Sequence, residues 1–268
     1  MIRFRKKPFG FRRVFSFRTF AEGMNLVIDF GNSLIKVGIF DGVNFIYSEN
    51  HHSLSRSRVK SLLQKYNVKA ACMASVTNDH RSVRDFLLKQ VPFTELSHKT
   101  KLPIKNYYRT PETLGNDRRA NLAGALSLFP KKNALVISAG TCITYDAITS
   151  ARKYFGGNIS PGLEMRLKAM HTFTARLPLV KKERATYLIG RSTAESMLTG
   201  AVRGARLEMQ GFISEYKKKF PSLHVILTGG DAPFFETSLQ KKIFAVPNLA
   251  LIGLNEILNS KKKTEIKK

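Results

Sequence analysis

The chain has 268 residues, 43% hydrophobic and 24% charged, with 45 Lys and Arg against 19 Asp and Glu. That is the composition of a globular protein with one large core or two smaller ones. No apolar run approaches the ~20 residues a membrane-spanning helix needs, so no membrane partner is expected. Cys72 and Cys142 are far apart, and the six histidines show no zinc-type spacing, which points to reduced thiols in a cytoplasmic protein.

Residues 1–23 alternate Arg with Phe and carry +6 of the net charge of +26, and residues 259–268 carry +4. The opening segment has the Arg-rich, acid-poor look of a transit peptide, and Met24, just before the first expected strand, gives the plainer reading of a start placed too early. Residues 1–23 are therefore expected as a basic extension and 259–268 as a basic tail. The remaining +16 lies in the body and attracts anions. No RNP-type motif, zinc finger or helix-turn-helix accompanies it, so a nucleic-acid partner is not expected.

From Met24 the pattern is that of an alternating α/β protein. LVIDFG, IKVGIF and NFIYS read as consecutive strands, SRVKSLLQKY as a helix, AACMASV as a buried strand and SVRDFLLKQV as a helix. ETLGNDRRANLAGALSLF opens at Gly115 and continues as a helix. ALVISAG and CITYDAI form a second strand pair, followed by helical regions around 162–173 and 192–218. HVILTGG closes as a strand with a glycine turn, and LALIGLNEIL is the final helix.

Residues 26–40 and 134–148 share one layout: an apolar strand, a turn holding a glycine and a hydroxyl, and a second strand. Two copies separated by 109 positions (Gly31 and Gly140) imply two similar domains, 24–128 and 129–258, facing each other across a cleft. In the first turn, Gly31 admits an anion to backbone N–H groups, Ser33 adds a hydroxyl and Lys36 a positive charge. Asp29 is suited to hold a hydrated Mg²⁺, which prefers few carboxylates and several waters. Gly140 and Thr141 repeat the arrangement, and Gly229 and Gly230 follow an apolar strand where backbone can pack on a flat base.

These three elements resemble the two phosphate motifs and the adenosine motif of the actin and sugar-kinase superfamily. YRTPETLGNDR (108–118), GGNISPGLEMRLKAMHTFTARLP (156–178) and IGRSTAESMLTGA (189–201) resemble, in order and spacing, the signature stretches of type III pantothenate kinases. The resemblance runs from Met24 to about Leu258. It implies two ribonuclease-H-like, actin-like ATPase domains, each a mixed five-stranded sheet flanked by helices. It implies ATP-dependent phosphorylation of pantothenate, the first step of coenzyme A synthesis.

Carried onto this chain, the resemblance makes Asp117 the proton acceptor. Asp29, Phe30, Gly31, Asn32, Ser33, Leu34, Ile35 and Lys36 form the ATP phosphate loop, with Thr141, Gly229 and Gly230 as further ATP contacts. Tyr108, Gly115, Asn116, Asp117 and Arg118 hold pantothenate, and Thr193 reaches it from the neighbouring subunit of a homodimer. Mg²⁺ accompanies ATP. Where the family has an aspartate for a monovalent cation, K⁺ or NH₄⁺, this chain has Ser138, which leaves that requirement open. From the residues alone, Asp117 reads equally well as a helix-capping residue beside a solvated Arg118. The rival reading is a non-catalytic regulator of the same fold that binds nucleotide or nucleic acid.

Overall fold

The computed structural model describes residues 23–76, 80–185, 187–236, 239 and 243–265. The expected basic extension therefore lies, up to residue 22, outside the described residues, as do residues 266–268 of the expected tail.

The chain opens as an antiparallel meander of β1 (Met24–Phe30), β2 (Ile35–Asp41) and β3 (Asn44–His51). Helix α1 (Arg56–Lys65) starts at Ser55, whose side chain caps the Arg58 N–H. It leads to β4 (Val68–Ser75), which pairs parallel with β1, and α2 (Arg81–Gln90) leads to β5 (Phe93–Glu95), parallel with β4. After the short β6 (Lys105–Asn106) and a single 3₁₀ turn, Pro111–Thr113, comes α3 (Asn116–Leu128). A second meander follows: β7 (Ala134–Ala139), β8 (Cys142–Ile148) and β9 (Lys153–Pro161). Then come α4 (Leu163–Thr172), the long α5 (Thr193–Lys219), β10 (His224–Thr228), a short α6 (Ala232–Phe235), β11 (Ile243–Ala245) and α7 (Leu249–Glu265).

The internal repeat reappears as topology. The first sheet has the order β3-β2-β1-β4-β5, and the second β9-β8-β7-β10-β11, with the same antiparallel and parallel pairings at corresponding positions. The second sheet has six strands rather than the expected five, because β6 pairs with the outer edge of β9.

Each sheet is covered on both faces, which is why β1, β4 and β7 read as near-continuous apolar runs. Helices α1 and α2 pack Val59, Leu62, Val83 and Leu87 against Leu26, Ile28 and Val37. Helices α4 and α5 pack Leu163, Leu167, Ala201 and Met209 against Leu135, Ile137 and Tyr145. Between the sheets lie α3 and α7. One side of α3, Ala120 and Ala123, joins Val27, Cys72 and Leu251, and the other, Leu122 and Ala125, joins Val136 and Ile226. Every residue of α3 from Arg118 to Leu126 is buried, as a helix enclosed on all sides must be.

Two segments cross between the halves read from the sequence. Strand β6 joins the second sheet, and α7, at the chain's C-terminal end, lies mainly on the first, pinned by Asn25 Nδ2 donating to Asn255 Oδ1 at 2.8 Å. Helix α7 also continues to Glu265, into the segment expected as a basic tail. Strand β9 was not anticipated, because Gly156 and Gly157 interrupt its pattern and its side chains lie mostly in the open.

Candidate active site

The first turn of α3 is fastened to both sheets. On one side Asn116 Nδ2 donates to the Ser75 carbonyl at 3.3 Å, at the end of β4, where Ser75 sits beside Phe30 of β1. On the other, Arg118 reaches β8, its Nε 3.1 and 3.0 Å from the two carboxylate oxygens of Asp146 and its Nη2 2.7 Å from Oδ1. Asp117 stands between these attachments. Gly115 is the N-cap residue and makes no side-chain cap, so Asp117 is a first-turn acid and not the cap itself. Arg118 is buried, so the solvated alternative does not hold.

The Arg118–Asp146 pair is built into a larger network. Tyr154 donates to Asp146 Oδ1 at 2.7 Å and lies 2.9 Å from Arg118 Nη2, and the guanidinium sits 5.6 Å from the Tyr108 ring centroid. Tyr108 in turn stacks on Tyr154. Asp146 and Tyr154 were not among the residues singled out from sequence. The available signal was an aspartate in the middle of an apolar strand, CITYDAI, which demands a buried partner. Arg119 is equally buried and donates to the carbonyls of Leu114 and Pro111, holding the segment that leads into Asp117.

Asp29, at the end of β1, feels Asp117. Burial pushes its pKa up to about 6, Lys36 opposes this, and the charge of Asp117 adds to it. Asp117 is also raised, again chiefly by burial, with the Arg118 backbone N–H opposing and Asp146 adding. Two carboxylates whose proton affinity burial raises, one of them acting on the other, are a recognisable functional arrangement. Lys36 faces Asp29 across the β1–β2 register, with its Nζ 3.2 Å from the Pro247 carbonyl.

The two hairpin turns have parallel construction. Gly31 N–H donates to Leu34 O at 3.2 Å, and Gly140 N–H to Cys142 O at 3.0 Å. Asn32, Ser33, Leu34 and Thr141 are exposed on these turns, whereas Phe30 and Ile35 turn their side chains into the core. Gly229 has φ +97°, and a Cβ there would lie 2.1 Å from the Ala139 carbonyl oxygen, so only glycine fits. The Asp231 N–H bonds that same oxygen at 2.9 Å, which seats the loop after β10 beside the second hairpin. Gly230 is exposed there, with open space around it.

Ser138 faces Thr144 on β8 and Thr228 on β10 in register. Both threonines are buried, and Thr144 Oγ1 has no hydrogen-bond partner among the described residues. This row supplies hydroxyls but no carboxylate, and Asp146 nearby is committed to Arg118. A site that needs an acid to neutralise a monovalent cation does not fit here. For Mg²⁺ the donor set does fit. Among the described residues no group of three or more His, Cys, Asp or Glu forms a protein-only cage, while Asp29 offers the single carboxylate that a hydrated Mg²⁺ on phosphates uses.

An open groove of about 1250 Å³ runs from Tyr108 and Gly157 along β9 to Phe212 and Tyr216 on the C-terminal half of α5. Thr193 is not brought to it. It is exposed at the N-terminus of α5, roughly 28 Å from Phe212 along the helix at ~1.5 Å per residue.

A family model described as type III pantothenate kinase matches residues 25–215. A type III pantothenate kinase from Bacteroides fragilis is 45% identical over 237 residues, covering 88% of this chain and 98% of that protein. Among solved structures, a Campylobacter jejuni protein assigned to the Baf family of transcriptional activators superposes with a TM-score of 0.55 at 20% identity, covering 89% of this chain and 99% of that one. A ROK family glucokinase from Streptomyces griseus, in complex with glucose and AMPPNP, gives 0.50 at 10% identity over 90% of this chain and all of that one. At those identities the two structures share the fold alone.

Proposed function

The chain belongs to the type III pantothenate kinase family and phosphorylates pantothenate in coenzyme A biosynthesis, and from that premise we propose how its residues divide the work. The observation that carries the reading is the double attachment of α3, which sets Asp117 beside Asp29 between two sheets, each ending in a glycine-and-hydroxyl turn. ATP lies there with its phosphates on the turns Gly31–Leu34 and Gly140–Thr141, and its adenine on the loop at Gly229 and Gly230. Asp29 holds hydrated Mg²⁺, which supplies charge neutralisation on the phosphates.

Phosphoryl transfer needs positioning and charge stabilisation more than covalent chemistry. Asp117 orients the pantothenate hydroxyl and takes its proton as its oxygen bonds to the γ-phosphorus and the bond from that phosphorus to the bridging oxygen breaks, the electron pair leaving with ADP. Its raised proton affinity suits that task better than an ordinary carboxylate near ~4. Tyr108 lines the groove, Arg118 lies against its ring, and the two hold pantothenate there, with the guanidinium orientation set by Asp146.

A homodimer completes the site. Thr193 does not line the groove of its own chain, and lies roughly 28 Å along α5 from Phe212, which does. Two α5 helices running antiparallel about a two-fold axis would lay the N-terminal half of each along the other's C-terminal half, where the groove opens. Exposed Phe173 at the end of α4, and Leu188 and Ile189 just before α5, supply apolar surface for that contact. We place the enzyme in the cytoplasm, in keeping with its two free cysteines. Family membership and the Asp29–Asp117 arrangement do not favour the regulator reading.

The test is ADP release from ATP and Mg²⁺ with and without pantothenate, for the native protein and Asp117→Asn. Pantothenate-dependent turnover that falls at least ~100-fold in the variant, with the KM for ATP little changed, supports the assignment. A folded dimer whose ADP release ignores pantothenate overturns it.

A further inference from the structure

On the far side of the second hairpin, a half-buried carboxylate gathers three donors from three elements. Glu208, in the middle of α5, accepts from Tyr145 of β8 at 2.8 Å and from Ser160 of β9 at 2.5 Å through Oε1, and from Arg166 of α4 at 2.5 Å through Oε2. Arg166 does not end there. Its Nε donates to the Pro161 carbonyl at 2.8 Å. The next atom of that peptide group, the Gly162 nitrogen, donates to the Thr141 carbonyl at 3.1 Å.

A peptide unit is planar, so fixing its carbonyl fixes the direction of its N–H. Gly162 leaves no slack in this contact, because a Cβ there would lie 2.0 Å from the Gly140 oxygen and 2.5 Å from that of Thr141. The backbone of the second hairpin turn therefore rests on the Pro161–Gly162 peptide, whose orientation is set by the guanidinium fork of Arg166, itself aligned by Glu208.

We infer that Glu208 and Arg166 are positioning residues for ATP, acting through the Pro161–Gly162 peptide to hold the turn at Gly140 and Thr141 in its phosphate-binding shape. This rests on the proposed phosphate role of that turn. Neither residue touches the nucleotide. Their contribution is preorganisation, and it falls on ATP rather than on pantothenate, whose site lies at Arg118 and Tyr108.

Three variants separate the possibilities. Arg166→Lys keeps the charge opposite Glu208 but loses the planar fork that also reaches Pro161. Glu208→Gln keeps an acceptor for Ser160 and Tyr145 but loses the ion pair. Each is expected to raise the KM for ATP about tenfold and leave the KM for pantothenate within about twofold, with melting temperature little changed. The double variant is expected to be no worse than the more affected single one, because both act on the same peptide.

Thr141→Ala serves as the control for the underlying reading. If it raises the KM for ATP while Arg166→Lys and Glu208→Gln leave it at the native value, the positioning role is wrong and the phosphate role of the turn survives. If Thr141→Ala leaves ATP binding untouched, the phosphate role itself fails. Equal losses for both substrates, or additive effects in the double variant, would reduce the cluster to general packing and overturn the inference.

Discussion

Arg118 and Asp146 form a buried bidentate ion pair that joins the first turn of α3 to β8 of the opposite sheet. Asn116, two residues earlier, is fastened to the first sheet at Ser75. The residue between them, Asp117, is thus held by the relation of the two sheets and not by its own helix alone.

Removing one partner of such a pair leaves the other charged and unpaired. Asp146→Ala is expected to cost about 3–5 kcal/mol in urea unfolding, because Arg118 would remain buried without a counter-charge. Adding Arg118→Met should restore part of that stability while pantothenate turnover stays low. Unfolding curves that coincide with the native protein's would show the pair to be dispensable.

Asp29 predicts an opposition between stability and activity. Burial raises its pKa from 3.8 to about 6, so the fold favours the protonated acid. That stabilisation is complete below pH 3.8 and is lost as pH rises through about 6. At pH 7.5 the ionised carboxylate therefore costs up to about 3 kcal/mol. Asp29→Asn should melt at a higher temperature than the native protein at pH 7.5, with the advantage shrinking toward pH 4, and should lose ATP-dependent turnover. In the native enzyme, kcat/KM for ATP should decline below about pH 6 as Asp29 takes a proton. A variant that melts no higher at pH 7.5 would contradict this account.

Thr193 acting across the dimer interface can be tested by complementation. Asp117→Asn and Thr193→Ala homodimers should each be poorly active. Mixed dimers re-formed from the two should regain activity, because one of their two sites has a native Asp117 and receives a native Thr193 from its partner. Failure of the mixture to exceed its components, with heterodimers verified by mass, would place Thr193 outside the site.

The hydroxyl row Thr228–Ser138–Thr144 carries no acid to neutralise a bound monovalent cation. The native enzyme is expected to turn over at the same rate in K⁺, NH₄⁺ and Na⁺ salts, and Ser138→Asp to acquire a preference among them. ²⁰⁵Tl⁺ resonance broadening gives a readout independent of turnover, with binding expected in the variant and not in the native protein. Strong K⁺ stimulation of the native enzyme would show that neutral oxygens suffice.

Much of this was legible in one dimension. The duplicated hairpin at 26–40 and 134–148 carried the two-sheet plan, since a strand–turn–strand unit is local and its apolar run already records burial on both faces. The turn residues Gly31, Ser33, Gly140 and Thr141 were legible for the same reason. So was the start of α3 at Gly115, where the helical apolar pattern begins. Strand β9 escaped because a strand with two glycines and mostly exposed side chains buries too little to mark itself, and β6 because two residues show no period.

What the sequence by itself determined is the set of local shapes: which stretches are strands, where chain reversals fall, and which acids and glycines stand at their ends. What only the tertiary structure decided is partnership. That Arg118 is spent on Asp146, 28 positions on, and that Arg166 reaches the Thr141 turn through one peptide plane, depends on side chains meeting across elements distant in sequence. So does the placement of α7 between the sheets. Periodicity records whether a residue is buried. It does not record against what, because many partners satisfy the same burial, and only closure of the whole core selects one.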